Sequence, residues 1–169
     1  MDSKQLYQEV ILDHNRKPRN YGRLDNATHS SEGLNPLCGD HIWLHLHVSD
    51  DAIDAVSFEG QSCAICKASA SMMTAAVKGR TVSEAQTLAE EFRQMTTGQL
   101  DPASDPNHLG RLAVFRGVKD LPSRVKCAIL PWHTLRAAFG EKQTATTEGD
   151  ADPAGGGGSG VAATPPPGT

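Results

Sequence analysis

Long apolar runs, an excess of basic charge and a dense cysteine framework are all missing from this 169-residue chain. No stretch approaches the ~20 consecutive apolar residues that a membrane-spanning helix needs, so no membrane span is expected. Lys and Arg number 16 against 20 Asp and Glu, for a formal charge of −4. That balance argues against a protein that tracks nucleic-acid phosphates, which is usually basic. The opening residues, MDSKQLYQEV, lack the apolar core of a secretory leader. A cytoplasmic protein is expected, and there four cysteines read as metal-binding or catalytic rather than as a disulfide scaffold.

The pattern along the chain suggests one domain over 1–141. Leu6, Tyr7, Val10, Ile11 and His14 recur at helical spacing, which predicts a helix over Ser3–His14, closed by Pro18. From Lys17 to Leu37, Asn, Gly, Pro and Ser dominate, and the stretch reads as a long loop of the kind that often carries function. Ile42, Leu44, Leu46 and Val48 alternate with His41, Trp43, His45 and His47. That is strand periodicity, and with Ile53–Glu59 across an SDDA turn it predicts an antiparallel hairpin. A helix from Cys63 to Gly79 follows. A second begins at the Thr81–Glu84 capping box, with Ala85, Leu88, Ala89, Phe92 and Met95 inward. A short helical piece around Leu109–Arg116 comes next. The last helix is expected to start near Cys127, with Pro131 in its first turn and Trp132, Leu135 and Phe139 inside. Residues 142–169, rich in Gly and Pro, bury too little apolar surface to order themselves and read as a disordered tail.

Cys38, Cys63, Cys66 and Cys127 carry the chemistry. In NPLCGD, Gly39 lets the backbone turn Cys38 and Asp40 toward one point, and both are metal-ligand types. Cys63 and Cys127 fall where helices are expected to begin, and unpaired N–H groups there favour thiolate over thiol. Thiolates are both metal ligands and sulfur nucleophiles, so Zn²⁺ and iron–sulfur chemistry fit this placement. By spacing alone, a set of small buried hydrophobes fits about as well.

The stretches LYQEVILDHNRKPRNYG, NPLCGD, FEGQSCAICKASASMM and SRVKCAILPW tip that balance. Over Leu6 to about Gly140 the chain resembles the SufU family, relatives of the IscU and NifU iron–sulfur assembly proteins. The resemblance implies an α+β fold in which a small three-stranded antiparallel sheet packs against helices. Its implied metal ligands are Cys38, Asp40, Cys63 and Cys127. Cys63 and Cys127 lie 64 positions apart (127 less 63). That interval and Lys126, where IscU scaffolds carry a histidine, resemble the SufU branch, as does Arg124.

This branch implies a zinc-dependent sulfurtransferase. It accepts persulfide sulfur from a SufS-type cysteine desulfurase and passes it toward a SufBCD-type scaffold. Cys38 is the implied catalytic thiol on its glycine-flanked loop, with a desulfurase histidine replacing it at the metal. Three thiolates and a carboxylate around Zn²⁺ leave a net charge of about −2. Arg124 and Lys126 are placed to offset it, with Arg124 guiding the persulfide. The alternative is an IscU-type scaffold that builds an iron–sulfur cluster on the same residues, and a third reading is a structural zinc module.

Other signals are weaker. Cys63-Ala-Ile-Cys66 has the spacing of a thioredoxin-like redox pair, but the βαβ context is missing. Many SufU proteins carry serine where Cys66 stands, so Cys66 is read as a spare thiol, a weak alternate ligand or a serine substitute. His41, His45 and His47 share a strand face with no evident acidic partner, and a solvated or helix-covered face is expected. His41, beside Asp40, is a candidate for contact behind the ligands. His108 and His133 are expected at the surface or as caps, Met72 and Met73 in the core, and Glu84, Glu90 and Glu91 on a solvated helix face.

Overall fold

A computed structural model describes residues 3–140 and 144–147. The order is α1 (Ser3–Arg16), β1 (His29–Asn35), β2 (Asp40–Ser49), β3 (Ala52–Gln61), α2 (Ala64–Val77), α3 (Val82–Thr96), a 3-10 segment (Gly110–Asp120), α4 (Pro122–Phe139) and β4 (Thr144–Thr146). The sheet order is β3-β2-β1-β4. The first three strands are antiparallel, as expected, and β4 adds a short fourth strand parallel to β1. The helices cover one face of the sheet, giving an α+β fold.

The hairpin β2–β3 closes through Asp50 and Asp51, which have φ of 51° and 65°. Two consecutive positive φ values make the tight turn whose twist matches that of antiparallel strands. Leu44, Leu46, Ile53, Val56 and Phe58 are buried beneath the helices. Helix α2 is apolar almost all round, so it runs through the middle of the domain, between α1, α4 and the sheet. Phe92 of α3 stacks on Trp132 of α4 with ring centres 4.8 Å apart, and Phe115 of the 3-10 segment meets Phe92 edge-on. The capping box is formed: Glu84 N–H donates to Thr81 Oγ1 and Thr81 N–H to Glu84 Oε1.

Four expectations need correction. The loop expected over Lys17–Leu37 contains β1. Its inward residues are Ser31, Gly33 and Asn35, so no apolar alternation marks it. These small residues are what α4 requires: a Cβ on Gly33 would lie 2.2 Å from Thr134 Oγ1. Helix α4 begins at Pro122, not near Cys127. Pro122 sits in the first turn, where the missing N–H costs nothing, and Pro131 is interior, depriving the Cys127 carbonyl of its helical donor. Leu6, assigned to the inner stripe of α1, is 46% exposed. Within the tail expected from 142 onward, the described residues 144–147 are held in place. Ala145 is buried and Thr147 N–H donates to Leu34 O at 3.0 Å. The rest of that tail lies outside the described residues.

Candidate metal and sulfur centre

Each site residue is delivered by the end of an element. Strands β1 and β2 are joined by Pro36-Leu37-Cys38-Gly39, closed by the Asn35–Asp40 pair and by Cys38 N–H donating to Asn35 O at 3.2 Å. Gly39 has φ +72°, the left-handed region that glycine enters without strain. Cys38 is thus exposed at a hairpin tip, while Asp40, the first residue of β2, is only 2% exposed. After β3, Cys63 caps the N-terminus of α2, its Sγ accepting from Cys66 N–H. Cys127 lies in the second turn of α4, buried, because α4 begins five residues before it (127 less 122).

Three of the four side chains expected to form a site converge, and the fourth, Cys63, adjoins them. Cys127 Sγ lies 3.3 Å from Cys38 Sγ, and Cys63 Sγ lies 3.8 Å from Asp40 Oδ2. Donor atoms of Cys38, Asp40 and Cys127 all fall within 4.8 Å of one another. Cys63 lies outside that triplet but adjoins it: its backbone N–H donates to Asp40 Oδ1 at 2.7 Å and its thiol is hydrogen-bonded to that of Cys127.

Charge settles unevenly among the sulfurs. Hydrogen bonds from the Cys127 thiol and the N–H groups opening α2 lower the Cys63 pKa to about 7. The Cys127 thiol is pushed up, as the donor to Cys63 and through burial. Cys63, at the positive end of a helix, therefore gives up its proton more readily than Cys127. Burial pushes the Cys66 thiol well up as well. Cys66 is fully buried in the hydrophobic core, which makes it a packing residue, and the strand before α2 is antiparallel to its neighbour, unlike a thioredoxin unit.

Arg124 is exposed one helical turn before Cys127 and makes no hydrogen bond to the cluster among the described residues. Its charge acts on Tyr7, beside Cys63 and Cys127. Both line a groove of about 1280 Å³ between α1 and the 3-10 segment, with Ile11, Ile65, Val114 and Leu121.

Asn35 was missed by residue-type reasoning. It is fully buried, and its Nδ2 donates to Asp40 Oδ2 at 3.1 Å and lies 3.6 Å from Cys127 Sγ. Its place in NPLCGD was the only available signal. The sheet histidines have acidic partners after all: His41 with Glu32, His45 with Glu59 and His47 with Asp54. Glu32 escaped notice because it lies on the unrecognised β1. His108 Nδ1 is paired with Glu91 Oε1, 2.7 Å away.

The donor set suits a borderline-soft divalent ion. Tetrahedral zinc with Zn–S bonds of about 2.3 Å has sulfur–sulfur edges of ~3.8 Å, and the Cys38 and Cys127 sulfurs, 3.3 Å apart, would spread slightly to hold it.

An α+β domain with three thiols and a carboxylate at one end is the layout of an iron–sulfur assembly protein. Residues 6–128 match the NifU-like N terminal domain, and the chain belongs to that family. It is 40% identical over 134 residues to the iron–sulfur cluster assembly scaffold protein IscU of Streptococcus pyogenes serotype M1, covering 79% of this chain and 82% of that one. It is 39% identical over 144 residues to the zinc-dependent sulfurtransferase SufU of Bacillus subtilis, covering 85% and 92%. A crystal structure of a putative iron–sulfur cluster assembly scaffold protein for the SUF system, from Fervidobacterium islandicum AW-1, superposes with a TM-score of 0.74. It is 37% identical and covers 82% of this chain and 99% of that one.

Proposed function

We propose that this iron–sulfur cluster assembly protein is a zinc-dependent sulfur carrier of the cytoplasm. In this reading it takes persulfide sulfur from a SufS-type cysteine desulfurase and hands it toward a SufBCD-type scaffold. The observation that carries it is the contrast within the site: Cys38 is exposed at a hairpin tip, while Asp40 and Cys127 are buried and Cys63 is half-buried.

Cys38, Asp40, Cys63 and Cys127 would hold Zn²⁺, which supplies positive charge that keeps thiols deprotonated near neutral pH. The Cys38 thiolate attacks the outer sulfur of the desulfurase persulfide. A sulfur–sulfur bond forms on Cys38, the bond within the donor persulfide breaks, and the desulfurase cysteine leaves as thiolate. No external oxidant or reductant is required. Asp40 and Cys63 stay in place, since the Cys63 N–H bond to Asp40 ties β2 to α2. Arg124, on the groove wall, offers a positive charge to an approaching persulfide anion.

The name of the Streptococcus relative supports a second reading, in which a cluster is built on the same four residues. Lys126 and the long interval between Cys63 and Cys127, filled by α3 and the 3-10 segment, favour the carrier. Metal analysis with a visible spectrum on protein purified without added metal separates the two. Colourless protein with about one zinc per chain supports the carrier, and brown protein with iron and sulfide supports the scaffold.

A further inference from the structure

We propose that β4 is a C-terminal clamp on this centre, acting through Asn35 as a positioning residue; the proposal rests on the metal-binding reading above. Asn35 touches three of the four donor residues. Its carbonyl accepts Cys38 N–H, and its Nδ2 serves Asp40 Oδ2 and faces Cys127 Sγ. Its remaining side-chain polar atom, Oδ1, accepts from Thr147 Oγ1 at 2.9 Å. An amide has one accepting and one donating end. The Asp40 carboxylate, an acceptor only, sets which end is the NH₂, and the Thr147 hydroxyl, donating to the oxygen, holds the amide in that place. The reversed amide would set its oxygen against two electron-rich groups.

Thr147 reaches Asn35 because β4 is in register with β1. Glu32, Gly33 and Leu34 pair with Thr144, Ala145 and Thr146, and Thr147 N–H continues the ladder to Leu34 O. Ala145 is buried where β4 meets α4, the helix that bears Cys127. The chain of contacts thus runs from the C-terminal segment through Thr147 and Asn35 to Asp40 and Cys127. Groups behind metal ligands fix their orientation and raise their affinity. Detaching β4 releases the Asn35 amide and loosens the metal, so β4 and Thr147 govern metal exchange.

The test compares wild type, T147V, T147S and N35A as full chains loaded with cobalt(II). Release to a chromogenic chelator is timed, and the thiolate-to-cobalt charge-transfer band is recorded. T147V, which keeps shape and loses the hydroxyl, should release metal about 2- to 10-fold faster, the range for one hydrogen bond. T147S should behave as wild type. N35A should release about 10- to 100-fold faster and shift the band. Wild type that binds metal and T147V that releases it at the same rate would overturn the clamp alone, whether or not N35A folds. Wild type that takes up no metal would overturn the site reading and the clamp with it.

Discussion

Replacing Gly33 by alanine tests the contact that brings the helix of Cys127 onto the strand that ends at Asn35. The added Cβ would lie 2.2 Å from Thr134 Oγ1, 3.1 Å from Ile42 Cγ1 and 3.3 Å from Thr134 Cβ. Thr134 is fully buried and its hydroxyl donates to Leu130 O at 2.7 Å, so turning the side chain away sacrifices that bond. Otherwise α4 must retreat from β1. Overpacking of this kind costs about 1–3 kcal/mol, offset by about 0.4–1 kcal/mol from the stiffer unfolded chain. A net loss of about 1–2 kcal/mol is expected, or about 2–8 °C in Tm for a domain of this size. Urea unfolding of G33A should show a lower midpoint at unchanged slope. G33A/T134A should recover at least about 1 kcal/mol relative to the sum of the single changes, because the two positions share one space. G33A as stable as wild type, or penalties that simply add, would refute the close approach.

Further outcomes follow from named contacts. Asp40→Ala strands the Cys63 N–H and the Asn35 amide, so zinc content by atomic absorption should fall and stability should drop by about 1–3 kcal/mol. Cys66→Ala should cost about 1 kcal/mol from the small core void while leaving zinc content and persulfide uptake intact; loss of uptake would revive a redox role. Arg93, Gln94 and Arg136 surround Glu90 and lower its pKa to about 2 from 4.5. A lowered carboxylate stabilises the fold above its unfolded pKa, and that stability is lost as pH falls through the folded value. Wild type should therefore exceed E90Q by about 0.5–1 kcal/mol above pH ~5, a figure reduced for solvent exposure, with the gap closing toward pH ~2 in acid-unfolding curves.

Helices α1 to α3, the β2–β3 hairpin and the capping box were legible because local pattern and tertiary role agree there. Strand β1 was not, since its inward positions were selected to be small under α4, leaving Ser31, Gly33 and Asn35 where a strand would show valine or isoleucine. The start of α4 was hidden by Pro131, which the surrounding core tolerates within a helix. Strand β4 takes its order from the open edge of β1, which no local reading of Thr-Ala-Thr reveals. Spacing alone left the cysteines ambiguous; the family resemblance named the ligands, and the fold supplied the reason they meet. Neither indicated Asn35, whose role exists only once β1, β2, α4 and β4 are assembled.

In the proposed sulfur carrier, Cys38 is the thiol that receives sulfur. Mixing the zinc-loaded protein with a SufS-type desulfurase and cysteine, trapping with an alkylating agent and mapping peptides by mass spectrometry tests it directly. One added sulfur atom is expected on the peptide bearing Cys38 and none in Cys38→Ser, which should remain folded because the residue is exposed. Sulfur on Cys63 or Cys127 with Cys38 unmodified, or uptake undiminished in Cys38→Ser, would contradict it.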